Sequence, residues 1–376
     1  MDFAHLDIPL RDGHIHFPHP ALLDDLVAVM EIAGVTHANL VAVPDLQLVN
    51  QNAALIHAKA RYPDRFTLCG ALDYTQVFAD PARASKILAA QIDTLQAIGF
   101  DGLKLIEGKP MVRKLLGLPL DGPQYAAMWA EVEARGFPVV LHVADPEEFW
   151  DPDCCPGWAR ERDWFYGDGT YPTKEALYLE IDQVLAQHPR LKLVLAHLYF
   201  LSADLARAGA FLDLHPGVCL DLTPGVEMYH NFARNLEAAR GFFLRYADRL
   251  VFGTDVGASA IGRDPDEPLD QAESLGRTWV VRQFLETDGA FAAPAGVGHW
   301  MGEEGEGFHG IALPHEVLRQ VYATNAERIF GTTPAPLDRE AARAELERQA
   351  AAIDALAGGG PIESPARRVA RDLAAV

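Results

Sequence analysis

The feature that most constrains this chain is a repeated alternation of short apolar runs with longer helical stretches. The apolar runs are Leu10–His16, Ala38–Val43, Phe66–Leu72, Gly102–Ile106, Val139–Val143, Leu191–His197, Val218–Leu222 and Arg249–Asp255. Several are almost unbroken, as strands buried on both faces must be. Helical patterns fall near 20–33, 50–62, 80–98, 121–135, 174–188, 202–214 and 231–247. Asp80-Pro81 is a start signal, and Gly99 and Gly136 stand where helices should stop. Strand-then-helix alternation predicts a parallel sheet covered by helices. Eight units predict an α/β fold of the (β/α)8 TIM-barrel type. An open doubly wound sheet is the competing architecture. It would want a phosphate-type glycine loop after the first strand, and Asp12-Gly13-His14-Ile15-His16-Phe17-Pro18 is not one.

Residues 1–331 are assigned to the barrel. Residues 332–376 are assigned to a C-terminal helical extension, because Leu337–Leu356 is amphipathic and Gly358-Gly359-Gly360-Pro361 breaks it. That extension reads as a docking or oligomer helix, and a homo-oligomer is expected. Two connections are long for plain loops. Residues 144–173 carry Phe149, Trp150, Trp158, Trp164, Phe165, Tyr166 and Tyr171. They follow the fifth strand, on the face where barrels build their sites, and are read as a lid or pocket wall, as a small satellite core, or as both at once. Residues 287–314 include His299, Trp300 and His309.

Composition excludes several functions. With 32 Lys+Arg against 53 Asp+Glu, the formal charge is −21. Nucleic-acid partners and anionic membranes need a basic face, and none is present. At 49% hydrophobic and 23% charged, the chain is too apolar to be disordered. Cys69, Cys154, Cys155 and Cys219 form no C-x-x-C pair, so reduced thiols are expected. The first residues lack a signal-peptide pattern, and no apolar run approaches the roughly 18 residues of a membrane span. A cytoplasmic protein acting on a small molecule is expected.

The chemistry concentrates at strand ends. His14 and His16 alternate along the first strand and so share a face. His142, His197 and Asp255 end the fifth, sixth and eighth strands. From His14 to Asp255 the spacing averages about 34 residues per unit, near the 31 or so of a 250-residue barrel. A lone His-x-His or strand-end His is commonly a hydrogen-bonded core residue. Four histidines and an aspartate in this order suit a divalent ion, zinc above all, with no organic cofactor. Lys104 falls inside the fourth strand. It is read as a snorkelling lysine, a carboxylate binder, or a depressed-pKa amine able to form a metal-bridging carbamate.

Asp12-Gly13-His14-Ile15-His16, with His142, His197 and Asp255, resembles the amidohydrolase superfamily. Tyr62-Pro63-Asp64-Arg65-Phe66, Gly102-Leu103-Lys104-Leu105, Val251-Phe252-Gly253-Thr254-Asp255 and Asn325-Ala326-Glu327-Arg328-Ile329-Phe330-Gly331 are similar to its second family, which includes aromatic-acid decarboxylases and related hydrolases. The resemblance covers residues 10 to about 331. It implies that His14, His16 and Asp255 bind a first metal, and that Asp255 also shuttles the proton. His142 would complete a one-metal site. In two-metal members His142 and His197 hold the second ion, bridged by a carboxylated lysine at the slot of Lys104, with Glu107 a poorer substitute. In a one-metal site His197 orients the water.

Substrate contacts are expected from three places. Lys109, Arg113 and Lys114, near Lys104, form a basic patch suited to a carboxylate. Trp150 and Trp164 come from the aromatic loop. Glu227, Tyr229 and His230 follow the seventh strand. Asp145, Glu147 and Glu148 are either supports behind the ligands or solvated loop acids. The expected activity is hydrolysis of an amide, ester or lactone by metal-activated water. The alternatives are non-oxidative decarboxylation of an aromatic or enoic acid, and a silent ligand-binding barrel.

Overall fold

The computed structural model describes residues 1–45, 49–225, 227–264, 267–297 and 307–375. Among them, eight parallel strands follow chain order around one sheet: β1 (Leu10–His16), β2 (Val35–Val41), β3 (Phe66–Gly70), β4 (Gly102–Gly108), β5 (Val139–Val143), β6 (Leu193–Leu195), β7 (Val218–Asp221) and β8 (Leu250–Val251). Each is followed by a barrel helix: α1 (Leu23–Ala33), α2 (Asn52–Arg61), α3 (Ala84–Ile98), α4 (Ala126–Arg135), α5 (Lys174–Gln187), α6 (Leu205–Leu214), α7 (Leu236–Arg245) and α8 (Gln271–Glu286). The expected (β/α)8 architecture is present, and α3 and α4 stop at Gly99 and Gly136.

The seam between β8 and β1 is stitched rather than laddered. Gly13 N donates to Phe252 O at 2.8 Å, Asp255 N to His14 O at 3.0 Å, and His16 N to Val256 O at 2.8 Å. The strands come so close that a Cβ on Gly13 would sit 2.6 Å from Val251 Cγ1. This explains why the eighth strand, expected over 249–255, ladders over two residues only. Beyond Val251 the chain meets β1 irregularly, accepting at Phe252 O and Val256 O and donating from Asp255 N, while Phe252 N turns to Val321 O. The sixth strand is also shorter than expected, because His197 starts a different conformation.

Alternation along the strands decides what lies inside. Val41, Cys69, Val140, Val194, Cys219 and Val251 form an inner core, closed below by Ala326, Ile329 and Phe330 of the helix Asn325–Phe330. Asn325 Nδ2 fixes that floor by donating to Ala247 O and Leu250 O. One pleat repeat higher, the same alternation turns Lys104, His142 and Asp221 toward the C-terminal end. A register shift in β1 between Asp12 and Ile15 re-aims His14 there.

The helix α8 was not expected. Its signal is Asp270, whose side chain accepts from Glu273 N in a first turn that also carries Glu273. The C-terminal segment forms two helices, α9 (Arg339–Leu356) and α10 (Pro365–Ala374), which pack on α3 and α2. All four cysteines are free, in line with reduced thiols. No helix among the described residues is long and apolar enough to cross a membrane. His299 and Trp300 lie outside the described residues.

Candidate metal centre

His14 is wholly buried and held at both ring nitrogens. Its Nδ1 donates to Asp221 Oδ2 at 2.8 Å, so its Nε2 is the lone-pair side and accepts from Lys104 Nζ at 2.9 Å. Asp255 Oδ1 faces His16 Nε2 at 3.3 Å and His14 Nε2 at 3.8 Å. Ligand atoms of His14, His16 and Asp255 all lie within 4.8 Å of one another. Two imidazoles and a carboxylate suit a borderline divalent ion. The set fits one for a further reason. Among the described residues, His16 Nδ1 is buried without a partner and Asp255 Oδ1 faces the imidazole nitrogens of His14 and His16, leaving valence unspent in a buried site.

Burial drives the His16 imidazole down to about 4, against the pull of Asp255, so it is neutral and can ligate. Burial alone would raise the Asp255 carboxyl. His16, His197 and Arg277 outweigh it and hold the group well below the usual carboxylate range. Burial lowers Lys104 to about 8, with Asp221 and Asp255 opposing, which makes its neutral amine accessible near physiological pH.

The β5–β6 side supplies the other two histidines. The rings of His142 and His197 are 5.0 Å apart, and that of His197 is 6.2 Å from His14. His142 Nε2 faces two acceptors, Ala144 O and Asp145 Oδ1, so it carries the proton and leaves Nδ1 as a base. Nδ1 of His197 donates to Thr223 O at 3.2 Å and leaves Nε2. Burial takes His197 down to about 3. His197, Leu198, Tyr199 and Phe200 all have φ between 50° and 57°, a left-handed turn without a glycine. Each such residue costs about 1–2 kcal/mol. Asp221 holds the turn, its Oδ1 accepting from His197 N at 2.8 Å and from Thr223. Ala144 and Asp255 also have positive φ, so backbone strain collects around this site.

Three residues here escaped the sequence reading as site members. Asp221 falls inside the expected strand Val218–Leu222 and carries no assigned role there. Arg277 comes from the unexpected α8. Tyr166 was counted as an aromatic, yet its hydroxyl donates to Asp145 Oδ2 at 2.7 Å. Alternation along β7 was the available signal for Asp221.

The expected substrate contacts fare unevenly. Lys109 Nζ sits 2.7 Å from both oxygens of Asp145 and 4.3 Å above the Trp164 ring. Arg113 Nε donates to Glu180 at 3.0 Å, and Lys114 Nζ to Thr170 Oγ1 at 2.5 Å. The basic patch is thus internally engaged. Trp150 Nε1 donates to Pro172 O, and Trp164 stacks on Phe149. These residues belong to a satellite core of Phe149, Cys155, Ala159 and Tyr166. Tyr229 is 2% exposed, donates to Leu222 O and packs edge-on to Phe232 and Phe284, in the core rather than over the ligands. His230 lies 4.9 Å from Phe308. Phe200 flanks both His142 and His197, at 5.3 Å and 5.0 Å.

A family model described as amidohydrolase matches residues 10–332. A search of curated proteins found no match. Solved structures with a similar fold include an uncharacterised TIM-barrel protein of Bordetella bronchiseptica, 14% identical, covering 86% of this chain and 99% of that one, with a TM-score of 0.50. A 2,6-dihydroxybenzoate decarboxylase from Rhizobium is 16% identical over 86% of this chain and 98% of that one, with a TM-score of 0.51. A zinc-bound amidohydrolase from Burkholderia multivorans is 15% identical over 87% of this chain and 100% of that one, at 0.50.

Proposed function

The chain belongs to the amidohydrolase family, in its second branch, and from that premise we propose that it is a zinc-dependent hydrolase of an amide, ester or lactone in a small molecule. The observation that carries the reading is the convergence of His14, His16 and Asp255 on one point at the C-terminal end of the barrel. When bound, a divalent ion supplies Lewis acidity and makes water ionise near neutral pH. The residues supply the rest. Asp255, ionised and facing the imidazoles, takes the water proton and returns it to the leaving group. His197 Nε2, left free by the bond from Nδ1 to Thr223, orients that water. His142 presents Nδ1 from the neighbouring strand.

Hydrolysis is favoured over decarboxylation by the state of the basic patch. Lys109 and Arg113, the cations suited to a substrate carboxylate, are taken by Asp145 and Glu180. A neutral acyl substrate needs no such anchor.

Metal analysis of the purified, reconstituted chain tests the centre. One equivalent corresponds to the His14, His16 and Asp255 set with His142. Two would correspond to a second ion that His142 and His197 would hold, with Lys104 as its carboxylated partner. Less than about a tenth of an equivalent defeats the proposal. The reaction is tested by offering a panel of lactones, esters and amides beside hydroxybenzoic acids. Acid release from the first group supports hydrolysis, and CO2 release from the second replaces it with the lyase.

A further inference from the structure

Arg277 is buried to 1% exposure in the middle of α8. Its Nη1 lies 3.4 Å from Asp255 Oδ2, and its Nε donates to Glu273 Oε1 at 3.0 Å. The other oxygen of that glutamate, Oε2, accepts from Ser259 Oγ at 2.5 Å. Ser259 sits in the short turn Ala258–Ala260, just beyond Asp255. The contacts therefore form a ring: carboxylate, guanidinium, second carboxylate, hydroxyl, and back along the chain to the first carboxylate. Gly257 lies on that return path with φ 81°, and a Cβ there would come within 2.1 Å of His16 O. The ring is thus tied to β1 as well as to α8.

The ring divides the two oxygens of Asp255. Oδ2 faces Arg277, while Oδ1 faces His16 Nε2 and His14 Nε2. A carboxylate with neither oxygen engaged rotates about χ2 and offers a metal one or both. Burying a guanidinium for packing alone is a poor choice, because an apolar side chain of like volume fills the space without the desolvation cost. The planar fork is what serves two carboxylates at once, and a lysine cannot copy it.

We propose that Arg277 is a positioning residue that holds Asp255 so that Oδ1 alone enters the metal centre. This rests on the metal-centre reading above. Arg277 reaches the ligand set through Asp255 and acts through that carboxylate.

The test uses the full chain and zinc or cobalt(II) as probes. Zinc affinity is read by chelator competition, and the carboxylate's binding mode by the visible spectrum of the cobalt(II) protein. In Arg277→Met the zinc Kd should rise about 10–100-fold, the usual cost of losing a group that orients a ligand. The cobalt bands should shift, and the melting temperature should fall, because Asp255 and Glu273 lose their buried cation. In Arg277→Ala, added guanidinium ion should restore both affinity and spectrum. It should do nothing for Arg277→Met, whose side chain fills the cavity. Arg277→Lys, which keeps the charge and folds most readily, should fall between wild type and Met. Wild-type affinity and spectrum in the Met and Lys variants would overturn the proposal, as would a folded Arg277→Ala that guanidinium does not repair. Wild-type protein that binds no metal refutes the centre itself. Wild-type binding with unaffected variants refutes only the role of Arg277.

Discussion

Inside the barrel, Asp12, Asn39, Thr67, Cys69 and Thr254 form a buried polar layer in which each acceptor has its donor. Asp12 accepts from His14 N, Thr254 N and Thr254 Oγ1. Asn39 donates to Gly13 O and accepts from Thr67 and Cys69. Two residues further along β1 begins a second layer of His14, His16, Lys104, Asp221 and Asp255, equally buried. There, among the described residues, His16 Nδ1 has no partner and Asp255 Oδ1 faces the imidazole nitrogens of His14 and His16. Burial and polarity are the same in both. What differs is saturation. A closed set of hydrogen bonds spends its capacity on the fold, while an open set keeps capacity for a ligand.

Substitutions that separate stability from turnover put this contrast at risk. Asp255→Asn should cost about 10³-fold or more in kcat on any acyl substrate the panel identifies, within the range for losing a general acid–base. Its melting temperature should barely move. A large loss of stability there would erase the distinction between the layers. Asp12→Ala should do the opposite. It strands Thr254 and the His14 amide, and should lower unfolding free energy by about 2–3 kcal/mol in denaturant titration.

Asp12→Asn sharpens the point through pH. Burial pushes the Asp12 carboxyl up to about 7, only partly offset by its hydrogen bonds from Thr254 and His14. Between about pH 4 and 7 the folded chain then holds a proton that the unfolded chain has released, so this contribution to stability declines as pH rises through that window. The asparagine variant has no such decline. Relative to wild type it should gain roughly 1–3 kcal/mol between pH 5 and pH 8. No relative gain would mean that Asp12 titrates normally. Cys69→Ala, which removes one weak thiol donor from Asn39, should cost about 1 kcal/mol or less.

Local pattern made much of this legible. β1 and β5 match the apolar runs Leu10–His16 and Val139–Val143 residue for residue, and His14, His16 and Asp255 do meet. What escaped depends on partners distant in sequence. Nothing in His197-Leu198-Tyr199-Phe200 announces a left-handed turn, since its clamp, Asp221, lies a strand away. The basic patch looked available because Arg113 finds Glu180 across 67 residues. The aromatic stretch proved to be a satellite core, joined to His142 through the Tyr166 and Asp145 pair. Two misses were locally visible: α8, through the Asp270 and Glu273 start signal that carries Arg277, and Asp221, through the alternation of β7.

The stitched seam between β8 and β1 has a consequence for how the protein is made. Asp255 is synthesised 241 residues after His14, so the ribosome must make seven strands before the two can meet. The backbone bond between them, Asp255 N to His14 O, is also what brings the ligand atoms together. A nascent chain stalled anywhere before the eighth strand therefore has histidines but no cage. On the proposed function, metal uptake by a nascent chain then reports closure of the barrel, which an assay on stalled chains can read.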